Sequence, residues 1–123
     1  MTWDGILEGH SDSFTECGVV GPDGSIWGST EKFNFSKEEL FKAFLSFTNS
    51  TSEKGACLSW NSQDFLIIFS NNHKMIARRH FFGVVAEKCI SCFIIAFHDE
   101  SIETGVCAKS VSNLANLVKN YGM

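Results

Sequence analysis

Val19-Val20-Gly21-Pro22-Asp23-Gly24-Ser25-Ile26-Trp27 contains the chain's single proline, and the rest of the fold is read outward from it. In Gly21-Pro22-Asp23-Gly24 the pyrrolidine ring fixes φ at the second position and Gly24 frees the last, which is a four-residue turn signal. Short β-type runs at residues 17–20 and 25–28 flank the turn, so the segment reads as a hairpin. Downstream, Ser36 followed three residues later by Glu39 is a capping box. It opens a helix to about residue 49 whose Leu40, Phe41, Phe44, Leu45 and Phe47 fall at helical spacing. Residues 56–60, 65–69, 75–80, 82–87 and 90–97 are short apolar runs separated by polar or small residues, the pattern of an antiparallel meander. The runs at 65–69 and 93–97 are apolar on both alternations, which predicts strands covered on both sheet faces and helices on each side.

The two ends of the chain supply candidate covers. From about Gly105, Val111, Leu114, Ala115 and Val118 recur at i, i+3, i+4 and i+7, and Lys119 then Gly122 are end signals. The opposite stripe of that helix is Lys109, Asn113, Asn116 and Asn120. At the other end Trp3, Ile6 and Leu7 form a short amphipathic turn with Asp4 near its start, favourable to the helix dipole. Gly5 and Gly9 weaken it, so it holds by packing on the sheet. The expected architecture is α+β: a central antiparallel sheet, the N- and C-terminal helices on one face, and the helix from Ser36 on the other.

Composition bounds the function. The chain has 123 residues, 44% of them apolar, which suits one domain over residues 1–123 that buries about two-thirds of its unfolded surface without metal or disulfide staples. Ten basic against fourteen acidic residues give a net charge of −4, which argues against a nucleic-acid partner. The charge is uneven. Residues 1–39 carry eight acids and two lysines, whereas Lys74, Arg78, Arg79 and Lys88, flanked by His73 and His80, form a local basic segment suited to an anionic partner. The N-terminus has no basic and apolar leader pattern, and no apolar run approaches the length of a membrane span. Five cysteines without scaffold spacing fit reduced thiols, so a soluble intracellular protein is expected.

The motifs with the residue types of covalent chemistry do not assemble. Cys89-Ile90-Ser91-Cys92 has a C-x-x-C spacing, but it enters an apolar strand, where residues three apart point to opposite faces, and no second C-x-x-C follows. Buried or half-buried thiols are the expectation. His10, His73, His80 and His98 have no specific nucleophile partner, and His98-Asp99 is only a generic pairing. Gly21, Gly24 and Gly28 form no phosphate-cradling loop followed by a helix. Glu38 and Glu39 favour a helix dipole and are not a catalytic pair. No enzyme, cofactor or metal is expected.

The 19–27 hairpin, a terminal helix beginning with Trp3, a helix after Phe33-Asn34-Phe35-Ser36, a meander and a C-terminal amphipathic helix together resemble profilin over essentially the whole chain. The resemblance implies a cytoplasmic, cytoskeletal protein that binds monomeric actin on one face and regulates its polymerisation. It also implies binding of proline-rich proteins such as formins on a second surface, binding of phosphoinositides through basic residues, and a monomeric state. The alternative keeps the fold and drops actin: an adaptor that binds a non-actin protein or an anionic lipid.

On the actin side, Arg78 and Arg79 match the family's basic pair before Gly83-Val84, Lys88 the basic residue that follows, Lys109 a helix-face lysine, and Asn113 a position often acidic. Ser70, Asn71 and Asn72 depart from the charged residues usual before that pair. The alternative for the cations is a solvated strand face. The proline-binding shelf maps to Trp3, Ile6, Trp27, Leu117, Tyr121 and Met123. Such a shelf needs flat rings for the pyrrolidines and N–H or O–H donors for the unsatisfied carbonyls of a polyproline II helix. Ile6, Leu117 and Met123 stand where the family carries rings, most often Tyr, and the chain has twelve Phe, three Trp and one Tyr. At about 1 kcal/mol for each lost hydrogen bond, proline ligands are expected to bind weakly. The alternative is that Trp3 and Trp27 only pack the terminal helices on the sheet.

Overall fold

The computed structural model describes residues 7, 9, 11–30, 36, 38, 57–60, 63–70 and 73–123. Apart from Leu7, Ser36 and Glu38, the expected N-terminal turn around Trp3 and Ile6 and the expected helix from Ser36 lie outside the described residues. A short 3-10 turn at Ser11–Ser13 leads into β1 (Glu16–Val20) and β2 (Ile26–Ser29), followed by β3 (Cys57–Trp60), β4 (Gln63–Ser70), β5 (Lys74–Arg79), β6 (Phe82–Lys88), β7 (Phe93–His98) and a C-terminal helix over Thr104–Asn120. The strands form one sheet in the order β2-β1-β7-β6-β5-β4-β3, and every neighbouring pair is antiparallel. The meander runs from the β3 edge inward to β7, and the hairpin β1–β2 then closes the other side by pairing β1 with β7.

The opening hairpin follows its turn chemistry. The Gly24 N–H donates to Gly21 O at 3.1 Å and the Gly21 N–H to Ser25 O at 2.8 Å. Asp23 Oδ1 accepts from Ser25 N at 3.0 Å and Ser25 Oγ at 2.6 Å. Gly24 sits at φ 86°, the left-handed region that an unbranched backbone enters without steric cost.

Two cores lie on opposite faces of the sheet. One contains Val20, Phe65, Ile67, Met75, Ala77, Val84, Ala86, Phe93, Ile95 and Phe97. The other places Cys17, Val19, Val85, Ile94 and Ala96 beneath Cys107, Val111, Leu114, Ala115 and Val118 of the helix, with Leu7 and Phe14 in the same cluster. The helix's apolar stripe is therefore buried as its spacing predicts, while Lys109, Asn113, Asn116 and Asn120 face solvent. Leu7 is buried on the helix side of the sheet. Beyond Asn120, the Gly122 N–H donates to Lys119 O at 2.9 Å with φ 82°, a left-handed helix stop.

The expectation of double cover holds for β7, all six of whose residues are buried, and fails for β4. Phe65 and Ile67 are buried, but Leu66, Ile68 and Phe69 stay about half exposed, at 48%, 52% and 47%. The cause is position: β4 lies second from the sheet edge, whereas the helix packs on β6 and β7. A helix about 10 Å wide spans roughly two strand spacings of about 4.8 Å, so it leaves the outer strands of its own face open.

Candidate functional site

Sheet register shows what lies on that open face. Leu66 is opposite Arg78, and Arg78 is opposite Gly83; Phe69 is opposite Ile76, and Ile76 is opposite Val85. Each row thus runs from an exposed apolar side chain on β4 into the core under the helix. A register shift at Ile67/Phe69 leaves Ile68 as an extra residue, which twists β4 locally. Phe81 adds to the same end of the sheet. It sits in the two-residue turn between Arg79 and Phe82, where His80 takes φ 55°, and is 69% exposed. Val106, in the first turn of the helix, is exposed as well. A cleft of about 340 Å³ between turn and helix is lined by Arg78, Phe81, Ile102 and Glu103, among others. The Arg78 guanidinium donates through Nη2 to His80 O at 3.4 Å, while its Nε is buried without a hydrogen-bond partner.

Cations border this apolar surface. Lys74 is on the same face, opposite Glu87, and pairs with its carboxylate at 3.4 Å. Glu87 is buried and also meets Lys119 at 3.8 Å and accepts from Ser112 Oγ at 2.6 Å, tying β5, β6 and the helix together. Lys109 and Asn113 are exposed on the helix.

Arg79 and Lys88 are elsewhere. Adjacent strand residues point to opposite faces, and the register sets Arg79 against Phe82 and Lys88 against Phe93, on the side of the other core. Arg79 donates to Asp64 O at 3.4 Å and borders a hollow of about 420 Å³ with Phe65, His80, Phe82 and Phe97. The basic segment is therefore not one strand face: Lys74 and Arg78 belong to the helix side, Arg79 and Lys88 to the reverse.

The residues matched to a proline shelf gather at the opposite end of the sheet, as far as they are described. Val20 pairs with both Ile26 and Phe93, so Trp27 and the β6–β7 turn share that end, and Ser91 N donates to Met123 O at 2.6 Å. A register shift makes Trp27 the unpaired residue between Ile26 and Gly28, and its indole passes beside Gly21, where an added Cβ would stand 2.7 Å from Nε1. Trp27 is 38% exposed, Tyr121 55%, and Leu117 and Met123 are partly buried. Trp3 and Ile6 lie outside the described residues.

Two motifs take different roles from those expected. Cys89 and Cys92 do not point to opposite sides of a strand: β6 ends at Lys88 and β7 begins at Phe93, so both belong to the turn and both join the helix-side core. His98 is a packing residue. Its Nδ1 donates to Asp99 O at 3.0 Å, its Nε2 accepts from the Thr104 hydroxyl at 2.9 Å, and the ring fills the space that a side chain at Gly83 would need.

The exposed apolar residues Leu66, Phe69, Phe81 and Val106 were not singled out in the sequence. Phe81 alone had a usable signal, since an aromatic residue at a hairpin tip has nothing to pack beneath. The Profilin family profile matches residues 1–123. Profilin-3 of Caenorhabditis elegans is 26% identical over 123 residues, covering 98% of each chain. Among solved structures, profilin II of Acanthamoeba castellanii superposes with a TM-score of 0.91 at 18% identity, covering 99% of this chain and 100% of that one. LokiProfilin2, solved in complex with rabbit actin, superposes with a TM-score of 0.79 at 18% identity over 94% of each chain. A whole-length family match on a sheet, hairpin and helix of this form leads to one conclusion: the chain belongs to the profilin family.

Proposed function

We propose that the protein, acting as a single domain over residues 1–123, binds monomeric actin through the helix side of its sheet and so regulates filament assembly in the cytoplasm. The observation that carries the reading is the set of exposed apolar residues Leu66, Phe69, Phe81 and Val106, with Lys74 and Arg78 on the same sheet face as Leu66 and Phe69 and with Lys109 and Asn113 exposed on the helix. Exposed apolar side chains accompanied by cations are the composition of a protein-docking face. The fold shared with a profilin solved on actin supports the choice of partner. Covering a half-exposed Leu or Phe contributes about 1 kcal/mol each. The Arg78 guanidinium, whose Nη2 makes only a long, exposed bond to His80 O at 3.4 Å, is suited to an acidic group brought by the partner. Arg79 and Lys88, on the reverse face, are assigned no part in this contact. The mechanism is binding alone, with no covalent step.

Titration of the purified protein into actin monomers while polymerisation is followed tests the reading. Filament formation should slow in proportion to added protein. No effect on the order of tens of micromolar would overturn it.

Proline-rich segments of proteins such as formins are assigned to the end carrying Trp27, Leu117, Tyr121 and Met123, with Trp3 and Ile6, as weak ligands. The partial exposure of Trp27, 38%, beside the bulge favours this second surface. Phosphoinositide binding is assigned to the cations. With two strand cations on each face and about 1 kcal/mol per residue near an anionic surface, it should be weak and lost at raised salt.

A further inference from the structure

The register of β6 and β7 pairs Glu87 with Ile94 and Lys88 with Phe93. Continued by one step, it sets Cys89 opposite Cys92 across Ile90-Ser91, and the Cys89 N–H donates to Cys92 O at 2.8 Å. Residues directly opposite in a hydrogen-bonded antiparallel pair have Cα atoms about 5.5 Å apart, within the roughly 4.4–6.8 Å that a disulfide spans. Both side chains lie on the helix-side core. The neighbouring Cys89 side chain holds the Cys92 thiol below its ordinary range, whereas the Cys89 thiol is pushed up by Cys92 and by burial. Cys107 and Cys17 are different. Burial pushes Cys107 up to about 12 and Cys17 further still, so both are poor nucleophiles.

Both thiols are buried, and their cover includes the helix backbone at Ala115 and the residues that follow the helix. Cys89 Sγ donates to Ala115 O at 3.9 Å and Cys92 Sγ to Met123 O at 3.8 Å. Met123 O also accepts from Ser91 N at 2.6 Å and Ser91 Oγ at 3.1 Å. Met123 belongs to the three residues beyond the helix end at Asn120, so a small displacement of that segment opens the dithiol without unfolding the helix.

We propose that Cys89 and Cys92 form a reversible oxidation site that closes to an intrachain disulfide across the β6–β7 turn when a hydroperoxide reaches it. The Cys92 thiolate attacks the outer peroxide oxygen, the O–O bond breaks, and the leaving alkoxide or hydroxide is protonated. Cys89 then gives up its proton and attacks the sulfur of the resulting sulfenic acid. The S–S bond forms and hydroxide leaves as water. Two electrons pass from the dithiol to one peroxide, and a small dithiol returns them. The disulfide has no S–H, so the bonds to Ala115 O and Met123 O are lost, and closure loosens the segment carrying Tyr121 and Met123. This inference does not depend on actin binding.

The test treats the intact protein with hydrogen peroxide, then alkylates it in denaturant and digests it. The chain has five cysteines; all five should react before treatment and three after it, with the mass lower by two hydrogens. The protected pair should map to Cys89 and Cys92, and dithiothreitol should restore both. In Cys89→Ser, a sulfenic acid at Cys92 should be trapped by dimedone with no disulfide formed. Five reactive thiols after treatment, a different protected pair, or over-oxidation of Cys92 in the wild type without a disulfide would each overturn the proposal.

Discussion

Gly83 faces the ring of His98, and that single contact explains why a glycine opens Gly83-Val84. A Cβ at Gly83 would strike the imidazole, which is fixed on both sides by Asp99 O and Thr104 and cannot swing away without breaking a buried hydrogen bond. Gly83→Ala should therefore cost about 1–3 kcal/mol in a denaturant melt. Gly105→Ala is the contrasting case. Nothing lies within 4 Å of its added methyl, and removing glycine from the first helical turn should stabilise by up to about 1 kcal/mol. The proposed proline shelf also turns on single residues. If Ile6, Leu117 and Met123 stand in ring positions, as the resemblance implies, hydroxyl donors are missing where a polyproline ligand would present carbonyls. The double variant Ile6→Tyr, Leu117→Tyr should bind polyproline more tightly than the wild type, by about tenfold for each hydrogen bond gained near 1.4 kcal/mol, read by tryptophan fluorescence. No gain would contradict the assignment of weak binding to lost hydroxyls.

At the level of elements, the C-terminal helix is held by its apolar stripe and by a polar clamp. Glu87, buried at the centre of the clamp, reaches Ser112 and Lys119 of the helix and Lys74 of β5. Glu87→Ala strands no buried cation, because Lys74 and Lys119 retain access to water, so its cost should fall below that of breaking a fully buried pair: about 1–3 kcal/mol, measured by thermal melting. Lys119→Ala, which leaves Lys74 and Ser112 on the carboxylate, should cost less. This helix was legible in the sequence because a 3.6-residue period specifies both its existence and its buried face. The strands were legible as apolar runs, and their observed limits fall within a few residues of the runs at either end. What the runs do not encode is sheet order. Residues 65–69 and 93–97 look equally apolar, yet the first lies near an edge beyond the helix's reach and the second beneath it. The turn at Ile90-Ser91 was hidden for a related reason. It carries no Gly, Asn, Asp or Pro, so the strand appeared to begin at Ile90 and the two cysteines appeared to diverge.

Across the whole molecule, a net charge of −4 conceals a division that only the register reveals. Arg78 and Arg79 are neighbours in sequence and occupy opposite faces of the sheet. One borders the open apolar surface beside the helix, and the other lies over the hollow around Phe82 and Phe97. Charge distribution and helical spacing located the cations and the helix stripe in the sequence; the exposed apolar residues follow only from helix width and sheet order. The most direct test of the proposed actin face exploits this division by measuring the dissociation constants of wild type, Arg78→Glu and Arg79→Glu for monomeric actin. Both variants change the net charge equally, and because Arg78 is half-buried and Arg79 exposed, a thermal melt of each separates lost folding from lost binding. The predicted result is a loss of about tenfold or more for Arg78→Glu and a change within about twofold for Arg79→Glu. Equal losses, a larger loss for Arg79→Glu, or no binding by the wild type would contradict it.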